Sequence, residues 1–287
     1  MLARPPSHSP ALGPGCAGPP LAEASSVSIQ YPAQPTAQVP TCGAASFLVD
    51  HNAVNAPGRD PSQHTQMPYV TGSSVLALTF KDGVMLASDT LGSYGSTKRY
   101  KSFERIRKVN DRTVLGASGE LSDFQYIMNL LDELTTDDFC EDDGGMLSPR
   151  EIWSYLCRVL YNRRNKQDPL WNSLVIGGIE HGKPFLGTVG MIGTHYTDDH
   201  IATGFGNMLA RPLFREKHSP DMSEADAEAL IHEALKVCYY RDKQSINKFQ
   251  LAKITEAGVS VSEPFALPTR WDYKHFENPS ANAVGTW

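Results

Sequence analysis

The sequence predicts an α+β protein built as a four-layer α-β-β-α sandwich. Three observations carry that expectation. Apolar runs and helical segments follow one another as strands, two helices, strands, two helices and strands. The runs around residues 75–87 are apolar at successive positions, so these strands are buried on both faces. Each long helical segment carries a single apolar stripe, which one sheet face can cover. Other α+β arrangements satisfy the same order, and pattern alone leaves them open.

Residues 1–64 stand apart from the rest of the chain. They hold over half of the chain's 20 prolines, many alanines and serines and few charges. Proline at this density neither donates to a ladder nor sits inside a helix, so the segment reads as a disordered leader. It lacks the apolar core of a signal peptide and the arginines of a transit peptide. The folded domain is expected over residues 65–262, and a C-terminal extended arm over 263–287.

Val70 to Asp89 reads as two strands joined by a tight turn at Lys81-Asp82-Gly83. Two further short runs flank a turn at Asn110-Asp111, and a helix follows Gly119 with Leu121, Phe124, Ile127, Met128, Leu131 and Leu134 at helical spacing. The acidic stretch at residues 137–145 lacks the ligand order of a calcium loop and reads as a solvated loop. Ser148-Pro149-Arg150-Glu151 is a helix start with cap, first-turn proline and capping-box acid. Ile152, Tyr155, Leu156, Val159 and Leu160 form its buried stripe, and Arg163, Arg164 and Lys166 suit its C-terminal end. Three or four Gly-separated strands are expected between Leu174 and Gly204. A third helix is expected near Asn207, with Pro212 early in it, and a fourth from Ser223. The final strands are residues 248–254 and 259–261.

Composition excludes several functions. With 26 basic against 32 acidic residues there is no basic footprint for nucleic acid and no polybasic membrane patch. The five cysteines are scattered without C-x-x-C spacing, which fits reduced thiols better than a disulfide framework or a zinc site. No apolar run reaches the roughly 20 residues of a membrane span. His181, His195, His200, His218 and His232 show no ligand spacing, and neither glycine turn follows a phosphate-loop pattern, so no cofactor or metal is expected.

Gly72-Ser73 places a hydroxyl behind a glycine where a strand opens, and Asp89 ends the second arm of the hairpin. A hydroxyl at a newly freed chain end with a carboxylate nearby is what an N-terminal nucleophile needs. Taken alone, these residues are equally a buried hairpin whose serines start a strand. The whole run from Gly72 to Asp89, however, resembles the opening of a proteasome β subunit, which in active members begins Gly-Thr-Thr-Thr. Leu91-Gly-Ser-Tyr-Gly-Ser96, Asn162-Arg-Arg164, Asp168-Pro-Leu-Trp-Asn172 and Tyr239-Tyr-Arg-Asp242 narrow the resemblance to the non-catalytic member at the seventh position of the β ring. It covers residues 65–271. It implies the N-terminal nucleophile hydrolase fold and processing between His64 and Thr65. The partners it implies are the other α and β subunits of the 20S particle, including β subunits of the opposite ring. The compartments are the cytoplasm and nucleus.

Matched to the family's active members, the nucleophile's place falls on Ser73, the acid's on Asp89 and the lysine's on Arg105. Asp242 and Ser245 match the supporting acid and serine, and Phe205 stands where the other supporting serine would be. Arginine stays protonated to a pKa above about 12 and cannot share a proton with a hydroxyl as lysine can. A chain starting at Thr65 also leaves Ser73 without a free amine. The resemblance therefore implies a vestigial site, with Asp89 and Arg105 as a structural ion pair. The alternative is an active serine-type N-terminal nucleophile hydrolase using Ser73. In the arm, Trp271, Tyr273 and Phe276 are the expected anchors in a partner's pockets.

Overall fold

The computed structural model describes residues 65–141, 143–273, 277–280 and 284–285. The expected leader with His64, and Phe276 of the arm, lie outside the described residues.

In chain order the elements are strands β1 (Val70–Gly72), β2 (Val75–Phe80), β3 (Gly83–Asp89), β4 (Gly92–Tyr94), β5 (Thr97–Tyr100), β6 (Ile106–Asn110) and β7 (Thr113–Glu120). Helices α1 (Leu121–Glu141) and α2 (Pro149–Asn165) come next, followed by β8 (Asn172–Glu180), β9 (Lys183–Val189), β10 (His195–Thr197) and β11 (His200–Ala202). After these come α3 (Gly206–Leu209), α4 (Arg211–Lys217), α5 (Glu224–Arg241), β12 (Phe249–Thr255) and β13 (Gly258–Val261). One sheet runs β10-β9-β8-β7-β1-β4-β5 with β6 also on β7, and the other runs β11-β2-β3-β12-β13. All the pairings are antiparallel.

The expected four layers follow from how each strand divides its side chains. Val75, Ala77, Val84, Leu86, Val114, Val175 and Ile254 fill the space between the sheets. Leu76, Leu78 and Met85 point the other way, against Leu230, Ile231, Ala234 and Leu235 of α5. Leu115, Leu174 and Ile176 meet Phe124, Ile127, Leu131, Ile152, Leu156 and Leu160 of α1 and α2. All six β2 side chains are buried, as their two-sided apolarity predicts. Each such side chain contributes roughly 1.5–3 kcal/mol.

The α2 start is the expected capping box. The Glu151 N–H donates to Ser148 Oγ at 3.2 Å, and the Ser148 N–H donates to Glu151 Oε2 at 2.7 Å. Two helices differ from expectation. The acidic stretch expected as a loop remains helical through Glu141, with Asp137 and Glu141 exposed on α1. The third helix is two short pieces, α3 and α4, which meet at Ala210 just ahead of Pro212. Strands β1, β4 and β5 have no periodic apolar signal: Thr97 to Tyr100 are all exposed.

The arm also departs from expectation, because it first returns to the domain. Phe265 and Phe249 exchange backbone hydrogen bonds at 2.8 and 2.9 Å, and the Asn247 side chain both donates to and accepts from the Leu267 backbone. Leu267 is buried in the core under α5. The folded core therefore extends past the expected boundary at residue 262.

Candidate functional site

β1 delivers the chain to Ser73, β2 begins two residues later, and β3 ends at Asp89. Arg105 precedes β6, and Asp242 caps α5 with Ser245 just beyond it. The ends of five elements thus converge on one site.

Arg105 is its centre and is fully buried. Its Nε donates to Asp89 O at 3.0 Å. Nη1 donates to Ser73 O and Ala117 O, each at 3.1 Å. Nη2 donates to Ser74 O at 2.9 Å and pairs with Asp89 Oδ1. A guanidinium has five N–H donors, and all are used. The stem passes over Gly72 so closely that a Cβ there would lie 2.4 Å from Arg105 Cδ. Asp89 Oδ2 accepts the Ile246 N–H at 3.1 Å. Burial pushes the Asp89 carboxyl above its ordinary 3.8, while Arg105 and the Ile246 amide oppose that rise.

Ser73 Oγ donates to Asp242 Oδ2, while Asp242 Oδ1 accepts the Gln244 N–H at 2.8 Å. Ser245 Oγ donates to Asp242 O at 2.8 Å, and Lys98 Nζ donates to Ser245 O at 2.8 Å. Among the described residues no lysine therefore bonds the Ser73 hydroxyl; its hydrogen-bond partner is a carboxylate already held by backbone. Cys238 lies beside the group, and burial first, then Asp242 and Asp89, push its thiol up to about 12, so it stays protonated.

Ser73, Ser118, Asn172, Ser173, Phe205 and Gln244 line an adjoining cavity of about 420 Å³. The structure thus brings together Ser73, Asp89, Arg105, Asp242 and Ser245 but sets Phe205 at the cavity mouth. Phe205 is 54% exposed and lines the same cavity as Ser73. Ser74 carries no signal in the sequence pattern, yet its Oγ accepts the Gly206 N–H at 2.8 Å and ties the turn after Phe205 to β2.

Upstream of Ser73 the chain is held on every side. β1 lies between β4 and β7, with Thr71 opposite both Ser93 and Glu120 and Gly72 opposite Gly119. Glu120 Oε2 accepts the N–H groups of Tyr69 and Val70, and Thr65 Oγ1 donates to Asp123 Oδ1 at 2.9 Å. Nothing in the periodicity marks Glu120 or Asp123, though both stand at the entrance of a helix, where acids are favoured.

Of the aromatic anchors expected in the arm, Trp271 and Tyr273 rest on the protein's own domain. The Trp271 ring sits edge-on to Tyr240 at 4.9 Å and to Tyr239 at 5.7 Å, and Tyr273 sits edge-on to Tyr240 at 6.5 Å. The Arg270 N–H donates to the Tyr240 hydroxyl at 2.8 Å. Even so, Trp271 keeps 56% of its surface exposed.

A family model described as "Proteasome subunit" matches residues 69–254, so the chain belongs to the proteasome subunit family. Within it, the chain is 54% identical to proteasome subunit beta type-4 of Arabidopsis thaliana over 84% of its own length and 98% of the relative's. It is 46% identical to beta type-4 of Xenopus laevis, over 76% of the chain and 91% of that relative. It is 39% identical to proteasome subunit beta type-7 of Saccharomyces cerevisiae, over 75% and 86%.

Proposed function

We propose that the protein is a non-catalytic structural β subunit of the 20S proteasome core particle. It builds the β ring with the other α and β subunits in the cytoplasm and nucleus, and it helps join the two half-particles. One observation carries the non-catalytic reading. The residue before Ser73 ends a strand paired on both edges, so freeing the Ser73 amine would cut an inner strand out of the eight-stranded sheet. Without that amine the hydroxyl lacks the base that an N-terminal nucleophile uses, and its remaining partner, Asp242, is already engaged by the Gln244 N–H. Arg105 cannot replace the amine, since its charge is permanent and its donors are all committed. What remains of the site is a brace: the Arg105 guanidinium gathers the carbonyls of Ser73, Ser74, Asp89 and Ala117.

Processing between His64 and Thr65 fits the same reading, because the strap from Thr65 onward is bonded to the domain while β1 stays in place. Substituting Ser73→Ala in assembled particles should leave every peptidase activity unchanged, and a covalent probe for N-terminal hydroxyl nucleophiles should skip this subunit. A mature chain beginning at Ser73 by intact mass, or labelling of Ser73, would establish the active serine-type hydrolase instead.

A further inference from the structure

Glu120 and Asp123 are 3% and 6% exposed, yet among the described residues neither carboxylate has a cationic partner. Their partners are neutral donors. Asp123 Oδ2 accepts the Trp171 N–H at 2.9 Å, and Glu120 Oε1 accepts the Ser122 hydroxyl at 3.1 Å. Arg163 shares the adjoining cavity of about 920 Å³, but its guanidinium pairs with Asp168 at 3.0 Å and lies over Tyr126. Two buried anions without a counter-charge are costly, and a nearby cation would offset that cost.

Thr65 is already seated at this position. Its hydroxyl donates to Asp123 Oδ1 at 2.9 Å, and its carbonyl accepts the Trp171 indole N–H at 2.8 Å. The α-nitrogen is bonded to the carbon next to the one bearing that hydroxyl, so a charge formed on it arises beside a hydrogen bond to Asp123. In the uncleaved chain it is a neutral amide. Hydrolysis of the His64–Thr65 bond by an endopeptidase consumes one water, leaves a carboxylate on His64 and gives Thr65 an amine that is protonated at neutral pH.

We propose that Asp123, supported by Glu120 and Trp171, is the receptor for the newly formed chain end at Thr65, and that this ion pair locks the strap and β1 onto the domain. The inference rests on the processing site proposed above. Processing then adds one positive charge beside two buried acids that have neutral donors alone, so the cleaved strap is held more firmly than the uncleaved one.

The test is labelling of the Thr65 α-amine in purified particles by an amine-selective ester across pH, with the product located by mass spectrometry. The expected result is a labelling midpoint above the ordinary α-amine range of about 7.7–8.0. Asp123→Asn should speed labelling at pH 7.5 by about tenfold, the equivalent of one pKa unit. A wild-type midpoint within the ordinary range overturns the receptor even if the variant does not assemble, and equal rates in the two proteins do the same. Intact mass separates the other failure: a subunit that begins elsewhere overturns the processing site itself.

Discussion

Arg105 is committed wholly to structural contacts. Its side chain satisfies four carbonyls and one carboxylate at a fully buried position. Arg105→Met should therefore cost about 3–5 kcal/mol, because Asp89 would be left buried and unpaired. Equilibrium unfolding of the subunit, or loss of its incorporation into particles, would register the change. Gly72→Ala should destabilise by about 1–3 kcal/mol, since the added carbon meets a stem pinned by five hydrogen bonds. The Asp89–Arg105 pair is legible in the sequence because both positions match site residues of the family's active members. Ser74, Glu120 and Asp123 are not, because their partners are mostly backbone groups, and those leave no mark on residue type.

At the scale of elements, legibility follows locality. The α2 capping box involves residues three apart and can be read directly; Ser148→Ala should cost about 1 kcal/mol, measurable as a fall in Tm. The α5 stripe is equally plain, and Ala227, Leu230, Ile231, Ala234, Leu235 and Cys238 are all buried. β4 and β5 cannot be read, since β4 is three residues long and β5 is exposed throughout, so neither shows alternation. The return of the arm escapes the sequence for a similar reason: an asparagine side chain, Asn247, supplies its pairing. Leu267→Ala should cost about 2–5 kcal/mol. Truncation before Arg270 should leave the domain folded and slow the joining of half-particles on native electrophoresis; unchanged assembly would remove the arm's proposed role.

Across the whole molecule, acid sensitivity should arise beneath the helices. Burial lowers the pKa of both His200 and His232 from 6.5. The unfolded chain then binds protons first as pH falls, so stability declines from about pH 6.5 downward. His200 stacks edge-on with His218 under α4, and His232 leans on Phe265, so the loss should loosen the α4–α5 layer. A Tm lower at pH 5.5 than at 7.5, with the difference reduced in His232→Phe, is the expected outcome. The four-layer order itself is visible in the succession of segments, but the division into an eight-stranded and a five-stranded sheet is not. Sheet membership depends on pairings between residues far apart in the chain, such as Thr71 with Glu120.

That pairing also sets an order of events during synthesis. β1 leaves the ribosome before either of its neighbours exists, and both of its edges then lack partners. The sheet consists of two separate pieces until β1 is inserted: β4 with β5 on one side, and β7 with β6, β8, β9 and β10 on the other. A short strand with two open edges is a template for mispairing. Its capture has to wait for Glu120, after which a single docking step closes both halves at once. Backbone amides of Thr71 and Gly72 should accordingly acquire hydrogen-exchange protection late in refolding, after those of β7 and β8, so that the first of the described strands is the last to take its place.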